Sequence, residues 1–268
     1  MIDIGVNLSN QRFAKDIEEA LDRAQQAGVE KLILTGTSIE ESRAVLELCQ
    51  SNSEAFPEML YATAGIHPHD ASTLDSESIS VLRELAAQPE VVAIGEMGLD
   101  FNRNFSTPAE QEKVFEAQLE LAVELQLPVF LHERDAAVRQ LQILKSYHDD
   151  LADAVTHCFT GSKQALFGYL DLNMHIGITG WICDEKRGEE LQQLVNNIPL
   201  ERLMVETDAP YLLPKNMPEP PKGKRNEPAF LPWVIEGVAK YREESCDQLA
   251  SATTANAARF FRLDQKTK

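Results

Sequence analysis

Basic residues are scarce in this sequence: 25 lysines and arginines stand against 43 aspartates and glutamates, a formal net charge of −18. A general nucleic-acid sponge or an anionic-membrane binder would meet long-range repulsion at that charge, although a local basic groove is compatible with it. A long apolar run is also missing. Nowhere do some eighteen apolar residues stand together as a spanning helix requires, and the opening Met1-Ile2-Asp3-Ile4 has neither the basic nor the apolar region of a secretion signal. A soluble, cytoplasmic protein without membrane association is expected. The four cysteines, Cys49, Cys158, Cys183 and Cys246, have no paired spacing, which argues against a zinc knuckle or a disulfide framework. No low-complexity tract or Gly/Ser linker divides the chain, so it reads as one domain over residues 1–268, long enough to bury a large core. Finally, no Gly-rich phosphate turn follows the first apolar run, which leads into Asn7-Leu8-Ser9-Asn10; this disfavours a doubly wound nucleotide-binding sheet.

What is present is alternation. Short apolar runs at Ile2–Leu8, Lys31–Thr35, Leu60–Ile66, Val91–Glu96, Pro128–His132, Ala154–His157, His175–Thr179 and Arg202–Glu206 are separated by stretches of helical period, among them Ala14–Ala27, Pro108–Leu125 and Gly188–Asn196. Strand-then-helix units repeated in this way fit an α/β fold of the TIM (β/α)8 barrel type. The segment from Pro228 to Phe261 reads as helices closing the barrel. A capped helix from Ala252 on is expected to dock its aromatic end on the outer ring.

In such a barrel, function gathers at the carboxyl ends of the strands. The stretch VVAIGEMGLDFNRNF, Val91 to Phe105, delivers the carboxylate Glu96 between glycines that let the backbone turn and a ligand approach. Its plainer reading is a strand-end acid accepting backbone hydrogen bonds. Asp100 to Asn104 then reads as an ordered loop over a pocket. His67 follows the third run, His132 closes the fifth, His157 closes the sixth, and Glu206 and Asp208 follow the eighth, so six residues able to bind a metal or carry a proton share one face. His148 and His175 fall elsewhere and read as surface or packing, while His69 could cap a turn or bind. Imidazoles mixed with carboxylates are the usual ligand set for a divalent ion that activates water. The alternative is a row of satisfied polar residues plugging the barrel mouth, which the want of matching buried cations disfavours.

Positive charge is concentrated locally. Lys222, Lys224 and Arg225 lie in one loop after the eighth run, and Arg103, Arg134, Lys215 and Lys186-Arg187 also follow strands. This suits a phosphate-bearing substrate, each residue singly being compatible with a solvated loop tip. Phe101, Phe105, Trp181 and Tyr211 are either stacking platforms or core.

GIHPH, GEMGLDF, HER, HCFTG and ETDAPYL, joined by FNRNFSTP, GITGWICDEKRG and RNEPA in this order and spacing, resemble the TatD family of metal-dependent deoxyribonucleases nearly end to end. The resemblance implies a metal-dependent hydrolase of phosphodiester bonds, a 3'-5' exonuclease on single-stranded DNA, active also on RNA and linked to DNA repair. It implies Glu96, His132 and His157 as metal ligands and Asp208 as a ligand or proton acceptor. Glu206 stands beside Asp208 as a further catalytic candidate, and His67 falls where a phosphate or leaving group is contacted. One or two ions are expected. Magnesium follows from the family, whereas two imidazoles favour manganese or zinc. A monomer is expected. One departure matters: most relatives begin Asp-x-His-x-His, and this chain has Asp3-Ile4-Gly5-Val6-Asn7, so the first of two metal positions is impaired or differently made. Two other readings compete, an amidohydrolase of a small molecule and a catalytically degenerate nucleic-acid-binding barrel.

Overall fold

A computed structural model describes residues 1–263, so the expected domain of 1–268 reaches past the described residues. Eight strands form one parallel sheet in sequence order: β1 (Ile2–Val6), β2 (Lys31–Leu34), β3 (Leu60–Ala64), β4 (Val91–Asp100), β5 (Val129–Arg134), β6 (Ala154–Thr156), β7 (His175–Ile178) and β8 (Leu203–Val205). The helices are α1 (Ile17–Gln26), α2 (Ile39–Ser51), α3 (Ser78–Ala86), α4 (Pro108–Leu125), α5 (Ala137–Tyr147), α6 (Lys163–Asp171), α7 (Glu189–Leu194), α8 (Leu231–Ala239) and α9 (Cys246–Phe260). The sheet curls into a nearly closed TIM-type barrel. Its seam between β1 and β8 is a single bridge, Val6 to Ala209, flanked by Asn7 N donating to Ala209 O at 2.8 Å and Asp208 N to Gly5 O at 2.9 Å.

Two apolar assemblies hold this arrangement. Ile2, Ile4, Ile33, Val92, Phe130, Val155 and Met204, alternate residues of six strands, pack on one another inside the barrel, while the larger cluster lies between strands and helices. Each fully buried residue of this kind contributes roughly 1.5–3 kcal/mol. Phe260 and Phe261 belong to the inner cluster. The C-terminal aromatic end therefore closes the floor of the barrel instead of docking on the outer ring. The helix carrying it begins at Cys246, not Ala252, because Ser245 and Gln248 form a reciprocal cap. The long α4 starts where Thr107, Pro108 and Glu110 predict, through the same type of capping box.

β4 differs most from its expected length, running on past Glu96 to Asp100. Gly95 and Gly98 explain this. Their φ angles are +146° and +138°, and a Cβ on either would collide with the carbonyl oxygens of Phe130 and His132. The glycines thus let β4 close on β5, continuing the ladder through Asp100 opposite Arg134.

Candidate functional site

Glu96 is held by its own backbone, whose N–H donates to Gly36 O at 2.7 Å, and its side chain is buried. Three imidazoles converge on one of its oxygens. Oε1 lies 3.3 Å from His67 Nε2, 3.0 Å from His132 Nδ1 and 2.8 Å from His157 Nε2. The acid therefore serves a side-chain cluster and not a strand-end backbone. His67, Glu96 and His132 offer ligand atoms all within 4.8 Å of one another.

The far nitrogens divide the three rings into two kinds. His157 Nδ1 faces Glu206 Oε2 at 3.3 Å, and His132 Nε2 lies 3.5 Å from Asp100 Oδ2, buried and without a hydrogen-bond partner. A carboxylate behind the far nitrogen keeps a proton there and leaves the near lone pair for a cation, the arrangement of metal-binding histidines. His67 is turned the other way. Its Nδ1 accepts the His69 backbone N–H at 3.1 Å, so the neutral ring carries its proton on Nε2 and presents a donor to the site. The rings also differ in the direction of their pKa. Burial lowers His67 despite Glu96, whereas in His157 the Glu96 and Glu206 carboxylates, and in His132 the Asp100 and Glu96 carboxylates, outweigh burial and raise the rings. The same imidazoles hold Glu96 well below the usual carboxylate range against its burial. Two imidazoles, His132 and His157, meeting one carboxylate oxygen through their near nitrogens are a donor set that a divalent cation satisfies, so Glu96, His132 and His157 fit the expected ion.

Asp208 stands at the seam. Its Oδ1 accepts from Asn7 Nδ2 at 3.0 Å, and its φ of +53° follows from the turn that brings β8 back to Gly5. Burial, reinforced by the Glu206 and Glu96 carboxylates, pushes its carboxyl up to about 7 against the pull of His157. Glu206 is fully buried; besides facing His157 it accepts the backbone N–H of Cys158. The first strand thus supplies no histidine but does supply contacts. Asn7 orients Asp208, and Gly5 leaves the room that Glu206 Oε2 fills, since a Cβ there would overlap that oxygen.

These groups floor a cavity of about 1300 Å³, which Arg103, Arg134, Phe105, Trp181 and Tyr211 also line. Arg187 lines it too, bonded to Asp184 at 2.7 Å, while the other basic candidates lie apart. Arg225 is tied to Asp16 at 2.7 Å, to Arg12 O at 2.7 Å and to Glu227 at 3.3 Å, and it covers the Phe13 ring at 4.6 Å. Its guanidinium is structural here, because a loop that leaves the sheet must be fastened back to α1, and the phosphate contact expected for it is not what the structure builds. Lys222 and Lys224 are exposed and, among the described residues, do not line the cavity. Phe101 lines the cavity while packing against the core, and His175 is buried against Phe260 and Arg202. Sequence reasoning missed Asp100, which is buried, bonded to His69 Nε2 at 2.6 Å and accepts from the backbone N–H groups of Asn102 and Arg103. Its signal was present in GLDF, an acid directly after an apolar pair.

With this geometry in view, the comparisons with known proteins are specific. The TatD related DNase family model matches residues 2–262. The chain belongs to that family. Within the TatD-related family, it is 51% identical over 98% of its length to the protein named 3'-5' ssDNA/RNA exonuclease TatD of Salmonella typhimurium, covering 99% of that relative, and 51% identical over both full lengths to the protein of that name from Citrobacter rodentium. Among solved structures it resembles YJJV, a TatD homologue of Escherichia coli, with a TM-score of 0.87 at 30% identity and 98% of each chain covered. A dihydropyrimidinase from Brevibacillus agri, at 11% identity and a TM-score of 0.63, shares the fold alone. Among the described residues no helix is long and apolar enough to cross a membrane.

Proposed function

We propose that the chain is a 3'-5' exonuclease that hydrolyses phosphodiester bonds of single-stranded DNA and RNA with a divalent metal ion at the barrel mouth. The observation that carries this reading is two imidazoles, His132 and His157, each backed by a carboxylate and both meeting Glu96 beside Asp208. Full-length relatives bearing the exonuclease name support it. Glu96, His132 and His157 would hold the ion, magnesium by family and manganese or zinc by ligand type, with Asp208 at the edge of the same space. Bound there, the ion supplies charge to a phosphate oxygen and acidifies water.

The chain's own groups do the rest. Asp208, aimed by Asn7 and holding its carboxyl near neutrality, takes the proton of the attacking water. His67 donates from Nε2 to the phosphate or to the departing oxygen, a role its hydrogen bond from His69 N–H fixes. Glu206 keeps His157 oriented. Arg103 reaches the phosphate from the loop after β4. Every one of these groups comes from one chain, so a monomer suffices. A cavity of about 1300 Å³ exceeds the range of about 300–1,000 Å³ usual for a small-molecule pocket, which favours a polymer end over a lactone or cyclic amide.

The test is cleavage of a 5'-labelled single-stranded oligonucleotide by metal-stripped protein with magnesium, manganese or zinc restored, beside His132→Ala. A ladder shortening from the 3' end, restored by metal and absent in the variant, is expected. Folded protein that cuts small cyclic amides and leaves every oligonucleotide intact would select the amidohydrolase instead.

A further inference from the structure

Resting on the exonuclease reading, we infer that Phe105 is the stacking platform for a nucleobase flanking the scissile phosphodiester, and that it makes the enzyme sense an unpaired base at the strand end. The ring is 66% exposed, although it sits in a loop with few freedoms. Asp100 Oδ1 accepts from Asn102 N at 2.9 Å and Arg103 N at 2.8 Å, Asn104 Nδ2 donates to Phe101 O at 2.7 Å, and Ser106 Oγ donates to His69 O at 3.0 Å. A loop fastened on both sides of a phenylalanine could have turned that ring inward. A single exposed ring is ordinary on a protein surface, so it is the position of this one that argues for a partner.

The position identifies the partner. His132, His67, His69 and Phe105 form a file of rings running outward from the metal-binding cluster, with successive centroids 4.4, 4.3 and 4.8 Å apart. The Phe105 and His69 rings meet at 83°, a T-shaped contact that orients Phe105 while two-thirds of the residue stays exposed. A phosphate at the cluster would therefore place the base attached to it within reach of that face. The unpaired base of a single strand has a free π-face to offer; a base inside a duplex has both faces stacked. The other aromatics of the cavity are held by further contacts, Phe101 against the core. Trp181 is covered by the Arg187 guanidinium at 4.4 Å and donates its Nε1–H to Arg187 O at 2.9 Å, and the Tyr211 hydroxyl is bonded by Asn10 Nδ2 at 3.0 Å. Arg103 and Arg134 line the same wall and, among the described residues, form no ion pair, which leaves them to the sugar-phosphate backbone.

The experiment compares oligonucleotides with a normal base and with an abasic residue, placed in turn at the 3'-terminal and penultimate positions, as substrates for the parent, Phe105→Ala, Phe105→Leu and Phe105→Tyr. The parent should favour the base-bearing end in kcat/KM by roughly 5- to 150-fold at one of the two positions, the range of a base–aromatic stack. In Phe105→Ala and Phe105→Leu that ratio should fall toward one, and Phe105→Tyr should keep it. In parallel, a 2-aminopurine placed in turn at each of the two positions, bound in EDTA so that no turnover occurs, should at one of them be quenched by the parent and by Phe105→Tyr and stay bright with Phe105→Ala. A ratio unchanged by Phe105→Ala, or equal losses on base-bearing and abasic ends, overturns the platform while leaving the nuclease intact. Should the parent cut none of the oligonucleotides, the exonuclease reading fails, and the quenching comparison still decides for or against Phe105.

Discussion

Gly5 lies on the first strand against Glu206, and its substitution is the sharpest test of how this site is built. Adding only a methyl group, Gly5→Ala, puts a Cβ into Glu206 Oε2, with Glu206 Cδ at 3.3 Å and Phe130 Cζ at 3.4 Å. Glu206 cannot swing aside freely, since its oxygens hold Cys158 N–H and face His157 Nδ1. Overpacking at a close-packed position costs about 1–3 kcal/mol, and loosening a hydrogen bond to a buried charged group costs about 1–3 kcal/mol. The two overlap, so a loss of about 2–4 kcal/mol is expected in urea unfolding of the metal-free protein. Glu206→Asp shortens the intruding side chain. Alone it weakens the Cys158 contact, but combined with Gly5→Ala it relieves the clash, so the double variant should be more stable than the sum of the single losses by about 1 kcal/mol or more. Gly5→His, which supplies one imidazole on the first strand, should lower stability further and raise no metal stoichiometry. A Gly5→Ala protein within about 0.5 kcal/mol of the parent, or strict additivity with Glu206→Asp, would refute the claim that Gly5 exists to seat Glu206.

Two histidines share one carboxylate oxygen but differ in tautomer. His67→Ala should keep its metal in equilibrium dialysis and lose roughly 100-fold or more in kcat, whereas His132→Ala should lose the metal itself. Acid stability should follow Asp16, whose bonds to Arg225 first, and then Arg23, depress its carboxyl to about 2. A depressed carboxylate contributes fully above its unfolded value of 3.8 and loses that contribution as pH falls through about 2, so Asp16→Asn should flatten the acid limb of the stability curve between these values, by about 1 kcal/mol after allowance for partial exposure.

The barrel and its polar face were legible because the strands are short apolar runs and each functional group directly follows one. α4 was read to the residue, since Thr107-Pro108 and Glu110 are local signals that need no tertiary context. What escaped depended on contacts made far along the chain. Asp100 reads as loop from its polar neighbours, yet it is the last strand residue, buried only because glycines bring β4 against β5. Arg225 reads as one of three equivalent cations in a basic loop, and only the return of that loop to Asp16 and Phe13 makes it structural. The direction in which His67 faces could not be read from GIHPH, because it is set by which backbone N–H its ring accepts.

The seam of the barrel joins these threads. Asp3 accepts from both the backbone N–H and the hydroxyl of Thr207, and burial pushes its carboxyl up to about 8. Two residues on, Gly5 O accepts from Asp208 N, and two further on, Asn7 gives its backbone N–H to Ala209 and its amide to Asp208. β1 therefore meets the residues after β8 through alternate positions, the period of a strand, and each contact that closes the sheet also fixes a residue on either side of the proposed base. Closing the fold and aiming Asp208 are one set of hydrogen bonds. A first strand without histidines can thus remain essential to the reaction, because its contribution to the site is made through the seam and not through ligation.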